Sequence, residues 1–402
     1  MTDLYRLDDL DLGVLAGARV FVRVDFNVPL SATNEVVDAT RIEEALPTLR
    51  ELMAAGARLI LASHCGRPKG APDPRYSLRP AAAKLAELLA APVAFAADTV
   101  GEAARETAGR LAFGEVCLLE NLRFDPGETA NDPEFARRLA DLAEVYVDDA
   151  FGAAHRAHAS VVGVAELLGR KAAGRLMVRE VEALGRLLGE PERPFVAILG
   201  GAKIEGKIDT LENLLPRLDA LLVGGGMANT FLAAQGRELG DSLVERDRLE
   251  VARGLLARAA ELGVEVVLPA DLVVTDDLDR SGGVATVAVG DAIAPGCKAV
   301  DVGPVTRAVF AVRIAGAWTL FWNGSLGVFE KLPFDAGTRV AAEALAACAG
   351  FTVIGGGETV AAAHQAGVAA RLGHVSTGGG ALLELLAGKT LLGIAVLERR
   401  SG

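Results

Sequence analysis

The sequence is poor in cysteine, in net positive charge and in long apolar runs, and each scarcity excludes a class of protein. Its four cysteines, Cys65, Cys117, Cys297 and Cys348, form no C-x-x-C pair, which argues against a disulfide framework or a zinc knuckle. A net charge of −12 argues against general binding to nucleic acid or to a membrane surface, because both are anionic. Any anion site must then be a local basic cluster.

No uncharged, strongly apolar run reaches the roughly 18 residues of a membrane span. The opening segment, "MTDLYRLDDLDL", is acidic and lacks the apolar stretch of a signal peptide. We therefore expect an unprocessed, soluble, cytoplasmic protein. With 402 residues the chain exceeds the length at which a single core stops growing, ~250–300 residues, so two domains are expected.

Short β-rich runs alternate with amphipathic helical patterns along almost the whole chain. Strand-like runs such as "ARVFVRVDF" and "EVYVDDAF" in the first half are matched by "FVAILGG" and "FTVIGGG" in the second. This alternation is typical of parallel sheets with helices on both faces. The sequence predicts an α/β fold of two doubly wound domains, residues 1–170 and 190–387, joined by an interdomain helix over 171–189 that ends at "GEPERP".

Arginine and histidine recur in the loops after the strands of the first half, where open α/β sheets bind ligands. A single arginine there is most simply a solvated surface charge, and a single histidine a structural residue. Their convergence in a negatively charged protein instead predicts a site for a small polyanion, because guanidinium groups suit phosphate and carboxylate. The candidates are Asp25, Asn27, Arg41, His64, Arg67, Arg123, His155, Arg156 and His158.

The loops of the second half are rich in glycine instead, as in "LGGAK", "VGGGMANT", "WNGSLG", "IGGGET" and "STGGG". Each alone is most simply a tight turn, but together they indicate a nucleotide with its metal, because glycine lets backbone amides approach phosphate at a helix start. In "ILGGAKIEGKIDT", Lys207 completes G-x-x-x-x-G-K, but Ile208 stands where a Walker loop needs Ser or Thr. We therefore expect Lys203 and Lys207 to bind phosphate on a loop of another kind.

Nine motifs, in order along the chain, resemble the phosphoglycerate kinase family. They are "RVDFNVP", "LASHCGRP", "LLENLRF", "DDAFGAAHRAH", "ILGGAKIEGKI", "GGGMANTF", "FWNGSLGVFE", "IGGGET" and "STGGGALLELL". The resemblance implies a glycolytic kinase, usually a monomer, that transfers a phosphoryl group between 1,3-bisphosphoglycerate and ADP to give 3-phosphoglycerate and Mg-ATP between closing domains. It also implies that the C-terminal segment, about 388–402, packs back on the first domain.

Carried over by position, the resemblance assigns two sets of residues. Phosphoglycerate would be bound by Asp25, Asn27, Arg41, His64, Arg67, Arg123 and Arg156, and nucleotide by Lys203, Lys207, Asn323, Glu330 and Gly356, Gly357, Glu358 and Thr359. Glu358 would bind Mg²⁺. The attacking carboxylate is already ionised at pH 7, so no general base is needed. Charge stabilisation would come from Arg41, Lys203 and the amides of residues 355–357.

Three departures from the family pattern lie at the nucleotide site. Ser325 stands where proline is usual, Glu358 stands where aspartate usually binds the metal, and "GCKAVDVGP" changes the adenosine pocket around residues 297–299. Two other readings stay open. A nicotinamide-dependent dehydrogenase fits the α/β pattern but lacks G-x-G-x-x-G, and a non-catalytic anion-binding protein has no use for the lysine-glycine loop.

Overall fold

The computed structural model describes residues 3–279 and 283–399. The chain forms two compact units: Met1–Glu182 together with Thr390–Gly402, and Ala183–Lys389.

The first unit is built on a six-stranded parallel sheet. Its strands lie in the order β3-β4-β2-β1-β5-β6. The bounds are β1 Arg19–Arg23, β2 Arg58–Ala62, β3 Val93–Ala96, β4 Val116–Leu119, β5 Val145–Asp148 and β6 Lys171–Ala173. The central strands are apolar on both faces because helices cover both sides. Those helices are α1 Leu12–Leu15, α2 Thr40–Ala54, α3 Arg79–Leu89, α4 Glu102–Arg110, α5 Pro126–Ala130, α6 Pro133–Ala140, α7 Val164–Leu167 and, near the C-terminus, α16 Leu392–Ala395.

The second unit contains a second six-stranded parallel sheet, in the order β15-β14-β13-β7-β8-β9, and a small antiparallel sheet, in the order β11-β10-β12. The strands of the large sheet are β7 Phe195–Leu199, β8 Ala220–Val223, β9 Glu265–Val267, β13 Thr319–Asn323, β14 Phe351–Ile354 and β15 His374–Val375. Those of the small sheet are β10 Asp271–Thr275, β11 Ala285–Ala288 and β12 Lys298–Val302.

The helices of the second unit follow its strands. They are α9 Ile208–Leu214, α10 Gly225–Ala234, α11 Leu249–Leu262, α12 Pro304–Ala315, α13 Ala336–Ala347, α14 Gly357–Gln365 and α15 Gly380–Leu386. Trp322, fully buried on β13, lies in the core between the sheet and α12, α13 and α14. Helix α8, Arg175–Leu188, contains the boundary between the units.

The predicted fold class of two doubly wound α/β domains is confirmed. One detail differs, because residues 171–173, predicted as the start of the connecting helix, instead form β6 and pair with β5. The apolar Ala172 and Ala173 are buried there, and the helix starts only after Gly174. In the C-terminal segment, Gly393 N donates to Ala154 O over 2.8 Å within the first unit. No helix in the described ranges 3–279 and 283–399 is both long and apolar enough for a membrane crossing.

Candidate active site

The candidate anion residues of the first unit lie at the carboxyl ends of four adjacent strands. In the sheet, β4, β2, β1 and β5 are consecutive neighbours, and the loops after them carry Arg123, His64, Asp25 and Arg156. The loops are bonded to one another: Phe26 N donates to Ser63 Oγ over 2.8 Å. Parallel pairing therefore brings together side chains that are more than a hundred residues apart in sequence.

Asp25 organises one side of this cluster. Its carboxylate accepts a hydrogen bond from Arg41 Nη1, and its Oδ1 lies 4.0 Å from His64 Nδ1. Burial alone raises the pKa of the Asp25 carboxyl, but the charges of Arg41 and Arg23 help to outweigh burial and hold that pKa below its ordinary value. Burial also holds the pKa of His64 well below its ordinary value; Asp25 opposes that shift, and Arg23, Arg123 and Arg41 reinforce it. The cluster therefore holds an ionised aspartate beside a neutral histidine.

Asn27 and Arg123 meet at Gly66, on the loop after β2. Asn27 Oδ1 accepts from Gly66 N over 2.8 Å, and Arg123 Nη1 donates to Gly66 O over 2.7 Å. Burial, together with the charges of Arg23 and Arg156, lowers the pKa of Arg123 to about 10. Its Nε is buried and has no hydrogen-bond partner within the part of the chain that the structure describes. A guanidinium in that condition is suited to an added anion, which would supply the missing acceptor and the missing charge.

The remaining cationic candidates differ in exposure. Arg67 and Arg156 are exposed, while Arg41 is partly buried. His158 is turned away from solvent, with its Nδ1 3.5 Å from the buried carboxylate of Glu128. His155 is partly buried and has a partner. The exposed guanidinium groups of Arg67 and Arg156 can therefore contact a ligand, whereas the buried His158 contacts Glu128 in the interior.

Two charged residues of this region were missed from sequence. Arg23 is the last residue of β1 and is fully buried, and Glu128, on α5, is fully buried as well. Arg23 donates to Ser160 Oγ over 2.8 Å and lies 3.1 Å from His64 Nδ1. Arginine and glutamate are almost never fully buried unless paired, so the run "VFVRVDF" gave no reason to place the arginine inside.

In the second unit a cavity of about 200 Å³ opens at the corresponding ends of the strands. Its walls come from the glycine loops after β7, β8 and β13, from β12 of the small sheet and from the start of α14. Glu330 and Glu358 line it and are exposed, and Ala299 lines it from β12. Of the three residues at which the sequence departs around position 298, Ala299 alone is among the lining residues.

The two lysines of the "GGAKIEGK" loop are placed differently. Lys203 is exposed, next to Ala202 of the cavity wall. Lys207 is turned inward: its Nζ donates to Gly200 O over 2.6 Å and to Asn323 O over 3.2 Å. Burial lowers the pKa of Lys207 to about 8, opposed by the charge of Glu358. Lys207 therefore links the loop after β7 to the end of β13, and Lys203 is the more available of the two for a ligand.

The last residue of β13 and the two residues after it contact Gly355 and the first turn of α14. Asn323 Nδ2 donates to Gly355 O over 2.7 Å, Gly324 N donates to Thr359 Oγ1 over 2.6 Å, and Ser325 Oγ lies 3.5 Å from Glu358 Oε2. The side chains of Asn323 and Thr359, both predicted to bind nucleotide, thus contact the protein itself. Their visible effect is to fix the glycine loops that line the cavity.

The amides at the start of α14 are only partly free for a ligand. Gly355 N, one of the three predicted to stabilise charge, donates to Trp322 O over 3.1 Å. The first amides of a helix have no intrahelical acceptor, so those of Gly357 and Glu358 remain suited to an anion.

The residues present fit a magnesium ion that arrives with a nucleotide. No group of three or more His, Cys, Asp or Glu side chains that could hold a metal occurs in residues 3–279 and 283–399. Glu358, however, presents a carboxylate at the cavity, beside the Ser325 hydroxyl. Magnesium commonly takes one or two protein carboxylates together with phosphate and water oxygens, so a single carboxylate suffices.

The chain has two doubly wound units. One has a cationic cluster at its strand ends, and the other has glycine loops there, one of which carries two lysines. These features are typical of two-domain α/β phosphotransferases. Comparison with known proteins identifies the family. The family model described as phosphoglycerate kinase matches residues 7–389. The chain is 56% identical over 386 residues to phosphoglycerate kinase of Desulforudis audaxviator, covering 96% of this chain and 98% of that protein. It belongs to the phosphoglycerate kinase family.

Further relatives agree with this assignment. The chain is 52% identical over 406 residues to phosphoglycerate kinase of Salinispora arenicola, with 98% of each chain covered. The solved structure of phosphoglycerate kinase from Coxiella burnetii superposes with a TM-score of 0.89 at 40% identity and covers 98% of both chains. The resemblance predicted from the sequence motifs is therefore confirmed, whereas the individual site residues stay predictions.

Proposed function

We propose that this protein transfers a phosphoryl group between 1,3-bisphosphoglycerate and ADP, giving 3-phosphoglycerate and ATP. The observation that best supports the proposal is the cluster around Arg123, whose guanidinium is half buried beside other cations and has an unpaired Nε within the described residues. Such a group favours a phosphate or carboxylate ligand. A coupled assay for ATP formation that depends on 1,3-bisphosphoglycerate tests the activity directly. A chain that bound both ligands without forming ATP would contradict it.

In the proposed reaction the protein has two tasks: it positions the two substrates, and it stabilises the charge on the transferred phosphoryl group. The carboxylate of 3-phosphoglycerate is the nucleophile in the reverse direction, and it needs no deprotonation at pH 7. We assign Arg41, Lys203 and the amides at the start of α14 to the charge that develops on the transferred phosphoryl group. Magnesium, held by Glu358 and the nucleotide phosphates, would neutralise phosphate charge when bound.

Transfer also requires the two ligands to meet, although their proposed sites lie on different units. We therefore propose that the units close when both ligands are bound. The radius of gyration measured by small-angle scattering should fall in the ternary complex and not in either binary complex. Full activity with an unchanged radius would contradict closure. Monomeric state and cytoplasmic location stay predictions.

Replacing Arg156 or Arg67 by alanine should weaken binding of 3-phosphoglycerate and leave ADP binding almost unchanged. Both side chains are exposed on loops after β5 and β2, so their removal leaves no buried hole. A charge-assisted hydrogen bond contributes about 1.5–3 kcal/mol, which corresponds to a loss of roughly 10- to 100-fold in affinity. Isothermal titration with each ligand separately measures the effect.

Arg110→Ala is the matched control, because Arg110 is an exposed arginine of the same unit that pairs with Glu106 on α4. It removes the same charge away from the cluster and should change neither affinity. Equal weakening of both ligands by Arg156→Ala would refute the assignment of phosphoglycerate to the first unit.

Glu358→Gln should raise the free Mg²⁺ concentration needed for half-maximal activity severalfold, while Glu358→Asp stays active. The amide keeps the size of the side chain but removes the charge that a hard cation requires. Activity measured against free Mg²⁺ at saturating nucleotide gives the result.

A helix-capping role for Glu358 is the alternative, because a carboxylate near a helix start also interacts favourably with the helix dipole. Glu261→Gln is the matched control: Glu261 is exposed on α11 of the same unit and pairs with Arg258. If Glu358→Gln left the magnesium dependence and turnover untouched, the metal role would be wrong.

A further inference from the structure

Arg23 is placed to control the protonation of His64. Its guanidinium is fully buried at the end of β1, and Nη2 lies 3.1 Å from His64 Nδ1. Arginine stays protonated in proteins and has no acceptor atom. Since one partner in this contact can only donate, His64 Nδ1 must accept and therefore carries no proton. In a neutral imidazole the proton then lies on Nε2.

The other contacts of Arg23 hold the guanidinium in place. Nη1 donates to Val24 O, and Nε donates to Ser160 Oγ over 2.8 Å. Ser160 therefore accepts from Arg23, and its hydroxyl proton is left for Glu128 Oε1 at 2.7 Å. The chain of hydrogen bonds has a single direction, from Arg23 through Ser160 to Glu128.

Glu128 supplies the charge that balances Arg23 in the interior. It is fully buried and also accepts from Ser160 N over 3.0 Å. Burial alone raises the pKa of the Glu128 carboxyl, but His158, Arg23 and Ser160 outweigh burial and keep that pKa below its ordinary value. An ionised glutamate behind Ser160 thus stabilises the guanidinium that faces His64.

We propose that Arg23 is a positioning residue that holds His64 as the neutral Nε2–H tautomer, with Ser160 and Glu128 holding Arg23 in turn. His64 would then offer an N–H donor to the anion at the cluster without changing its own charge. Asp25 is the group that could favour the opposite state, but its Oδ1 lies 4.0 Å from Nδ1, which is too long for a hydrogen bond. The other charged groups that face His64 are Arg41 and Arg123, and both disfavour an imidazolium.

The part of this inference that concerns the anion rests on the proposed function, whereas the tautomer can be measured without any ligand. The protein should be labelled with ¹⁵N at histidine and studied by NMR between pH 6 and 8, with a His64→Gln variant to assign the resonances. Protonated and unprotonated ring nitrogens resonate in separate ranges. We expect an unprotonated Nδ1 and a protonated Nε2 for His64 throughout, with exposed His364 as an internal reference. A protonated Nδ1 in the unaltered protein would overturn the proposal.

Variants then test the role of Arg23 itself. Because Arg23→Met alone leaves Glu128 buried and unbalanced, we choose the pair Arg23→Met with Glu128→Gln, which removes both charges. In this double variant the His64 ring should titrate between pH 6 and 8, and its neutral form should be a mixture of the two tautomers. Arg23→Lys keeps a donor and should restore the single tautomer. An unchanged tautomer in the double variant would overturn the role of Arg23.

The pH dependence of 3-phosphoglycerate affinity gives a second readout that a merely structural role would not move. Titration of the substrate phosphate affects all forms equally, so the ratio of Kd at pH 8 to Kd at pH 6 is compared between proteins. The double variant should show a ratio at least about threefold larger than the unaltered protein, because only its His64 gains charge at low pH. An equal ratio would count against the proposal.

A single tautomer in a protein that does not bind 3-phosphoglycerate would refute the proposed function and leave the tautomer assignment intact.

Discussion

Lys203→Ala is expected to lower turnover by about 100- to 1000-fold, the effect of removing one group that stabilises transition-state charge. Affinity for ADP should fall by less than about threefold. Lys203 is exposed beside the cavity, whereas Lys207 is engaged with Gly200 O and Asn323 O. Lys203 has no ion pair or hydrogen bond from its ammonium within residues 3–279 and 283–399, so it can place most of its interaction energy in the transition state, and the loss should appear in kcat. Steady-state kinetics with ADP titrations separate the two quantities.

Two variants control this experiment. Arg258→Ala removes one positive charge from an exposed ion pair with Glu261 on α11 and should keep normal turnover. Lys203→Arg keeps the charge but changes its geometry and should recover only part of the activity. Near-normal turnover of Lys203→Ala would mean that Lys203 has no catalytic role and that the "GGAK" segment is only a structural turn.

The same loop shows why a Walker reading fails here. In a Walker loop the residue after the lysine supplies a hydroxyl to Mg²⁺, whereas Ile208 is the first residue of α9 and is apolar. Lys207 bonds two carbonyl oxygens of the protein, and the candidate metal ligand, Glu358, lies elsewhere, in the first turn of α14. The match to G-x-x-x-x-G-K is therefore a match of sequence only, without the metal and phosphate contacts of a Walker loop.

The positions of loops at strand ends could be predicted from sequence because parallel pairing leaves few alternatives. Once the runs around β1, β2, β4 and β5 are recognised as strands, their following loops must share one edge of a sheet. This places Asp25, His64 and Arg123 near one another before any coordinates are known, and the contacts through Arg41 and Gly66 agree.

The direction in which individual side chains point could not be predicted in the same way. Arg23 lies on a strand whose alternation gives no sign that a charge is buried, and its partners Ser160 and Glu128 come from distant segments. The sequence around Lys207 predicts a phosphate ligand, but in the structure its ammonium donates to Gly200 O and Asn323 O, and Asn323 is brought near only by the tertiary structure. The small antiparallel sheet was also missed, since β11 is mostly exposed and its residues carry little hydrophobic signal.

Gly324→Ala is expected to lower kcat/KM by at least about 100-fold, because it displaces the loop after β13, which lines the candidate nucleotide cavity. Gly324 has a φ of +95°, which disfavours any side chain. An added Cβ would overlap the carbonyl oxygen of Gly200 and lie 2.5 Å from Lys207 Nζ. Backbone atoms cannot rotate away, so the loop itself must shift, and a shift of about 1 Å near a reacting group can cost about 100-fold in rate.

Gly236→Ala separates displacement of the loop from backbone strain. Gly236 has a similar φ of +86°, but a Cβ there meets nothing within 4 Å. This variant should therefore lose stability, by about 1–3 kcal/mol, while it keeps its activity.

Trp322 offers a direct probe of the loop in Gly324→Ala. It is buried, and its Nε1 donates to Gly324 O over 2.8 Å, so a shifted loop breaks that bond and changes the fluorescence of the indole. Normal kcat/KM together with unaltered Trp322 fluorescence in Gly324→Ala would mean that the loop tolerates a side chain. Close contact between residues 200, 207 and 324 would then not be what maintains the shape of the candidate nucleotide site.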